Sequence, residues 1–553
     1  MGVLAQVFAL PTITLAAAVE SLYVIRHYPD TFPKLFESKS HLGIAAVIFL
    51  ANYAFLALFW GLIYPRLLSP LRHLSGPRSI FAVVHRTLIA DKQRASGDMF
   101  LDIIKKYPNQ ELVNLSAFDF EVLVAKPRPL ADILVHKAYD FIKPPKVSAF
   151  LRHVLGDGLI MIEGDQHKFL RKNTMPAFSF RHIKDLYPMI WRKSALMSEA
   201  VKEALVSGEG KGTGIVDLGN WTSRVTLDII GVACMGREFN MLKKAEDPIL
   251  DIYEQLLEPD PEKLAFAGAS IGIGLGFVRW LPWRMNALFE YLTGTLAQLC
   301  NPLLQEKKDA IVKSKDDHFD ILALLIKSGN FSDEQLKDSL LTFLAAGHET
   351  TSSALSWACY LLSKHPEYQT KLREEIKQAL PGSDSDIDMS ELTATLEQLP
   401  YLNGIMNETL RLYPTVPLTL RTAIKDTYVV DQLIPRGTTL VLSMWQMNRS
   451  PEVWGADAAQ FKPERWITAG KPNTNGGASS NYEFLTFLHG PRSCIGQNFA
   501  KAEMRCLLTS MIRTFEWELA MDDAKVIPRG VITIKPANGL FLKLRPLESG
   551  DMI

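Results

Sequence analysis

The chain changes its pattern of apolar and polar positions three times. Residues 42–64, LGIAAVIFLANYAFLALFWGLIY, contain no charge. About 23 such residues are enough to cross a bilayer as a helix. Trp60 and Tyr64 close the run, and Arg66, Arg72, His73 and Arg78 follow it. Interfacial aromatics followed by arginines predict that the downstream side is cytosolic. An earlier apolar run, residues 2–25, is interrupted by Pro11 and Glu20. It reads as a first span, a re-entrant segment or an interfacial helix. A signal peptide is the alternative, but no basic leading region or small-residue cleavage site supports it. Residues 65–79 read as a proline-stiffened tether.

From residue 80 onward helical periodicity dominates, with short apolar strands near the carboxyl end. No internal repeat and no low-complexity linker occurs, and the polar stretch 468–480 reads as a loop within the body. The stretch FSDEQLKDSLLTFLAAGHETTSSALSWACYLLSKHP predicts one long helix. Ser332 and Gln335 form a capping box, with Phe331 and Leu336 as its hydrophobic staple. No proline intervenes before Pro366, so the helix spans about 30 residues, on the order of 45 Å. Its middle is polar: Gly347, His348, Glu349, Thr350 and Thr351. Glycine there costs about 1 kcal/mol against alanine, and a buried carboxylate must find partners or hold its proton. A bent helix with a solvated notch explains this as well as a site where glycine admits a ligand and Glu349 and Thr350 pass protons to it.

A second helix is bounded by prolines, in PYLNGIMNETLRLYPTVP from Pro400 to Pro414. Glu408 and Arg411 stand three apart and face the same way. Their apolar surroundings predict a buried pair, which needs further partners for the guanidinium fork. Arg465, in FKPERW, is the expected third member.

Composition adds exclusions. Lys+Arg and Asp+Glu both number 60 in 553 residues. That balance offers no footprint for nucleic acid. The length alone suggests about three to four domains, a prior that large enzymes escape. The five cysteines, Cys234, Cys300, Cys359, Cys494 and Cys506, form no CxxC pair, so the body is expected in a reducing compartment. Cys494 is unlike the others. It sits in FLHGPRSCIG, a glycine-punctuated loop with Arg492 two residues before it, followed by a helical run. Such a loop offers a thiolate and close backbone approach to a bound group.

These stretches together resemble the cytochrome P-450 family of heme-thiolate monooxygenases. Phe487, Gly490, Arg492, Cys494 and Gly496 fill the fixed positions of the family's heme loop. Ala346, Gly347, Glu349, Thr350 and Thr351 match its central-helix pattern. Glu408 and Arg411 match its ExxR, and residues 463–466 match its P-E-R-[FW]. The resemblance covers residue 80 to the end and is nearest to microsomal enzymes of filamentous fungi. It implies a mainly α fold with a smaller β portion, a catalytic body over residues 80–553, and an anchor over residues 1–64. It implies heme b with Cys494 as axial ligand, and a separate NADPH-dependent flavoprotein reductase, since no flavin domain follows the last strands. It also implies a lipophilic substrate, an endoplasmic-reticulum membrane location and a cytosolic catalytic face.

By the same resemblance Arg171, Arg421 and Arg492 would hold the propionates. His167 stands where the family often has tryptophan. The pocket would draw on residues 141–155, 343–351, 416–420 and 531–532. The glycine run at 272–277 has a dinucleotide look but no strand–turn–helix context. Residues 264–283 read instead as an apolar segment near the substrate entrance. A heme-thiolate isomerase or dehydratase and a non-catalytic heme sensor or electron carrier are the competing classes, and Glu349 with Thr350 favours the monooxygenase.

Overall fold

The computed structural model describes residues 10–27, 41–79, 94–95, 97–116, 120–243, 252, 255, 260–313, 320–530 and 532–547. Contacts divide the chain into two units. Val531, expected beside the pocket, lies outside the described residues, as do residues 2–9 of the first amino-terminal run.

The smaller unit holds residues 1–90, 102–142 and 420–442. Its core is a five-stranded sheet in the order Leu112–Asn114, Glu121–Val124, Thr439–Ser443, Leu418–Ala423 and Phe141–Ile142. The second and third of these run parallel, and Leu112–Asn114 pairs antiparallel with its neighbour. Val122, Leu123, Val124, Leu440, Val441 and Leu442 are all buried, as expected of strands covered on both faces. Ahead of the sheet stand two apolar helices, Leu10–His27 and His41–Leu58, packed on each other. The uncharged run 42–64 is therefore not one straight helix. It passes at Phe59 into a wider-wound π-helical stretch, Phe59–Leu68, with Pro65 inside. A proline lacks the amide that a regular ladder needs. Among the described residues no single helix is long and apolar enough to cross a membrane.

The larger unit is built on helices. The long helix Asp333–Lys364 runs through it, with 21 of its residues buried. Its capping box forms as the sequence requires: Ser332 accepts from Gln335 N–H, and Gln335 accepts from Ser332 N–H. The helix ends at His365, before Pro366. Its polar positions are tied across the core. Thr342 donates to Leu155 O at 2.8 Å, Thr222 and Ser356 lie 3.0 Å apart, and Trp357 Nε1 donates to Ile534 O at 3.2 Å. Helices Leu218–Ile230 and Gln497–Thr514 pack against it and Phe180–Ser207 packs on those two, with a three-stranded sheet, Phe515–Leu519, Phe541–Pro546 and Ile215–Asp217, beside them. The glycine run at 272–277 lies in helical turns, Ser270–Gly274 and Leu275–Trp280, and not between strand and helix. A dinucleotide fold is thereby excluded there. Ile273, Phe277 and Trp280 of this segment are exposed. The helices Pro261–Trp280 and Arg284–Lys313, bent by 97°, are apolar enough as a pair to meet the composition of a broken span.

The ExxR helix, Pro400–Leu412, presents a fully buried ion pair. Arg411 Nε donates to Glu408 Oε2 at 2.8 Å and Nη2 to Oε1 at 2.7 Å. Its remaining donors reach Asn448 O, Ala458 O and Gln460 O. Glu408 also accepts from Trp466 Nε1 at 2.9 Å and Lys462 N–H at 3.1 Å. Arg465 Nε approaches Glu408 at 3.4 Å, while its fork bonds Trp454 O and Asp457 O. Gly404, one turn earlier, faces Pro463 O, where a Cβ would lie at 2.7 Å. Breaking such a pair by removing one charge leaves the other buried and uncompensated. Glu408→Gln is therefore expected to cost about 3–5 kcal/mol, read as a lower denaturant midpoint of the purified protein. A midpoint unchanged against the parent chain would show that the pair is not a structural keystone.

Candidate active site

The Cys494 loop is folded by its own backbone. Cys494 N–H donates to Phe487 O at 2.8 Å, and Ser493 N–H to Gly490 O at 3.0 Å. Gly490 has φ of +81°, a conformation glycine adopts without a side-chain penalty. Leu488 has φ of +55° and carries that penalty; such residues persist where the surroundings over-determine them. Phe487 packs on the core, and Lys501 Nζ lies 5.7 Å from the centre of its ring. Gly496 begins the helix Gln497–Thr514, so the amide-rich helix end faces the cysteine.

Cys494 is exposed, whereas the other four cysteines are buried. It is accessible and yet surrounded by dense protein. Desolvation is accordingly the largest influence on its thiol and raises its pKa, while the Gly496 N–H and the Arg171 guanidinium favour the thiolate. Amide and cation donors at a thiolate tune a metal ligand through its surroundings.

A cationic cluster flanks this loop. Helix Gly164–Thr174 carries His167 and Arg171. Arg171 donates to Ser493 O at 2.5 Å and to Ser493 Oγ at 3.3 Å. Arg492 pairs with Glu163, the residue that precedes this helix and also accepts from Lys143 N–H. His167 is buried, and burial, followed by Arg492 and Lys143, lowers its pKa to about 4. It is therefore a neutral imidazole with one N–H to donate. The sequence brings forward His167, Arg171 and Arg492 but not Glu163, which stands 329 residues from its arginine. Arg421 belongs to the smaller unit. It is buried in the strand Leu418–Ala423 and donates to Leu420 O at 2.8 Å.

In the middle of the long helix, Thr350 Oγ1 donates to Ala346 O at 2.6 Å. This ties its hydrogen to the preceding turn and leaves its lone pairs as acceptors. Gly347 faces Ile230 of the helix Leu218–Ile230; a Cβ there would lie 2.6 Å from Ile230 Cδ1. Glycine at this point thus also serves the close approach of two helices. Glu349 is buried, and burial raises its carboxyl pKa against the opposing pull of Lys535 and the Thr533 hydroxyl. Glu503, in the helix after Cys494, is completely buried beside the Thr351 hydroxyl, and burial holds its carboxyl far above the ordinary range. Thr533, Lys535 and Glu503 carry no motif, and only the tertiary fold assembles them here.

A heme needs an axial ligand for iron and donors for two propionate carboxylates. One accessible thiol with amide and cation donors, two arginines and a neutral imidazole fit both needs. The site is of the heme-thiolate class. The family profile "Cytochrome P450" matches residues 111–543. The chain is 40% identical over 499 residues to cytochrome P450 monooxygenase sphH of Aspergillus fumigatus, covering 88% of this chain and 90% of that one. It is 35% identical to cytochrome P450 monooxygenase ptmK of Penicillium ochrochloron, covering 88% and 95%, and 33% identical to cytochrome P450 monooxygenase ALT8 of Alternaria alternata, covering 93% and 96%. The chain belongs to the cytochrome P450 family. It is a monooxygenase of fungal type, with heme b held by a cysteine thiolate as its cofactor.

The raised pKa of Glu349 has a definite sign. A carboxyl that binds its proton more tightly folded than unfolded adds stability below its ordinary value of 4.5 and loses that contribution as pH rises through the folded value. Glu349→Gln is expected to raise the thermal midpoint relative to the parent at pH 8. The gap should shrink as pH falls toward 4.5. A gap that is constant with pH would mean that Glu349 is ionised in the folded protein.

Proposed function

We propose that this chain is a membrane-anchored monooxygenase of the endoplasmic reticulum, with its catalytic body in the cytosol. It inserts one oxygen atom of O2 into a lipophilic substrate by hydroxylation or epoxidation. The other oxygen leaves as water, with two electrons from NADPH delivered by a separate flavoprotein reductase. The product belongs to secondary metabolism in this reading, which the fungal monooxygenases among its relatives support. The observation that carries the proposal is the acid–alcohol pair Glu349–Thr350 at the buried centre of the long helix.

Heme bound at this site supplies activation of dioxygen. The chain's own residues do the rest. Cys494 holds the iron through sulfur, and the Gly496 N–H moderates that sulfur's basicity. His167, Arg171 and Arg492 would hold propionate carboxylates. Glu349 keeps a proton in reserve because burial raises its pKa. Thr350 Oγ1 hands a proton on by taking one at a lone pair and releasing the hydrogen it now gives to Ala346 O, which leaves the hydroxyl unchanged. An isomerase or dehydratase would need neither group.

The apolar lining of one cleft supports the lipophilic substrate. Phe150, Val154, Phe266, Met285, Phe289 and Ile532 line it. Phe150, Val154 and Ile532 come from segments expected at the pocket, whereas residues 343–351 and 416–420 do not contribute to its wall. The exposed apolar surface of the two amino-terminal helices supports the anchor.

Two experiments test the reading. Reduced membranes expressing the chain should show a strongly red-shifted Soret band with carbon monoxide, and Cys494→Ser should abolish it while heme stays bound. Retention of the band would remove Cys494 from the iron. Thr350→Ala should uncouple turnover, with NADPH consumed at a rate similar to the parent's and peroxide replacing product. Intact coupling would refute the relay. Turnover that needs neither NADPH nor reductase would favour the isomerase.

A further inference from the structure

We propose that Leu10–His27 and His41–Leu58 enter the lipid bilayer together as a two-helix hairpin, so that residue 1 and the catalytic body lie on the same side. This rests on the anchored reading above and goes beyond it, because a single span would put residue 1 on the opposite side.

Among the described side chains of the two helices, the fully buried ones are small, Ala17 at 2% exposed and Ser21 at 5%, while Val24, Val47, Ile48, Phe49 and Leu56 are half-buried. Leu15 and Leu22 are both 67% exposed, Leu50 63% and Phe55 62%, and Val19, Tyr23, Tyr53 and Leu58 are exposed as well. In water such a pair would turn its large side chains inward, since burying them is the main source of stability. In hydrocarbon that driving force is absent. Small residues then let two backbones approach, and polar side chains clasp the helices. The clasp is present: Asn52 Nδ2 donates to Glu20 Oε2 at 2.7 Å. The Ser21 hydroxyl is satisfied within its own helix, donating to Ala18 O at 2.8 Å. A carboxyl at this depth is costly unless it faces a partner, and Glu20 faces Asn52.

Orientation follows from the connection. Residues 28–40 include Asp30, Lys34, Glu37 and Lys39. A segment with four charges in thirteen residues does not return through hydrocarbon. Two helices packed together within the bilayer are therefore antiparallel, each 18 residues long or about 27 Å, close to the hydrocarbon thickness. Charge alone does not decide the matter, because Arg26, Lys34 and Lys39 flank one end of the pair and Arg66, Arg72 and Arg78 the other. The packing of small and polar residues decides it.

The test uses the full chain in microsomes. One N-glycosylation acceptor is placed ahead of residue 1. A second, in a separate chain, is carried on a polar loop inserted within residues 28–40. Carbonate extraction reports membrane insertion in parallel. The hairpin predicts carbonate-resistant protein glycosylated at the inserted loop and unmodified ahead of residue 1. Glycosylation at both acceptors would overturn the hairpin and leave a single-span anchor standing. Carbonate-resistant protein modified at neither acceptor would also overturn it. Release by carbonate would overturn the hairpin and the anchored reading together. Asn52→Leu should raise modification of the leading acceptor several-fold, and no change would remove the Glu20–Asn52 clasp from the argument.

Discussion

The buried pair of Glu408 and Arg411 is the constraint from which the heme loop takes its shape. Two unit charges out of water are costly, and Coulomb attraction recovers that cost only where every remaining donor and acceptor is met. Here they are met by the segment from Asn448 to Trp466, most of it turns and irregular backbone. Arg411 fixes the carbonyls of Asn448, Ala458 and Gln460, and Glu408 fixes the amide of Lys462 and the indole of Trp466. Asn448 carries the order onward. Its amide group donates to Thr486 Oγ1 at 2.8 Å and accepts from Leu485 N–H at 3.0 Å. Thr486 in turn donates to Leu410 O at 2.7 Å, back in the ExxR helix. Phe487 comes next, and its carbonyl holds the amide of Cys494. A circuit of hydrogen bonds thus joins a salt bridge to a thiol 83 residues further along the chain. The pair's value lies less in net stability than in excluding other paths for the loop.

The buried carboxylates divide by how they are satisfied. Glu408 has four hydrogen-bond donors and two guanidinium groups close by. Glu349 and Glu503 have almost none, and burial pushes both carboxyls up. One fold therefore places the same side chain once in an ion pair and twice where burial raises its pKa. The distinction follows from position. Glu408 faces an irregular segment rich in unpaired backbone groups, whereas Glu349 and Glu503 sit on helices whose backbone is already paired.

What the sequence made legible was what local spacing determines. The capping box at Ser332, the end of the long helix before Pro366, the ExxR pair and the Cys494 loop each depend on residues within a few positions. Partners brought by the fold were not legible. Glu163 beside Arg492, Ser493 beside Arg171, and Thr533 and Lys535 beside Glu349 lie far apart in sequence and repeat no period. The amino terminus was legible in composition only. A run of apolar residues says that a helix avoids water. It does not say whether large or small side chains turn toward a partner, and that choice separates one span from a hairpin.

The departure at His167 shows how the site balances charge. Where a tryptophan would add a neutral indole donor, this chain has a histidine that could add a full positive charge. Burial and three neighbouring cations prevent it and leave a neutral imidazole. Glu163 then offsets Arg492, so that Arg171 is left beside the loop with its fork on Ser493. A cluster that reads in sequence as two arginines and a histidine thus has Lys143 and Glu163 as further charges, three cations against one carboxylate. A dianionic porphyrin edge placed there would meet directed N–H groups as well as that field. The geometry of those groups would set where its iron meets Cys494.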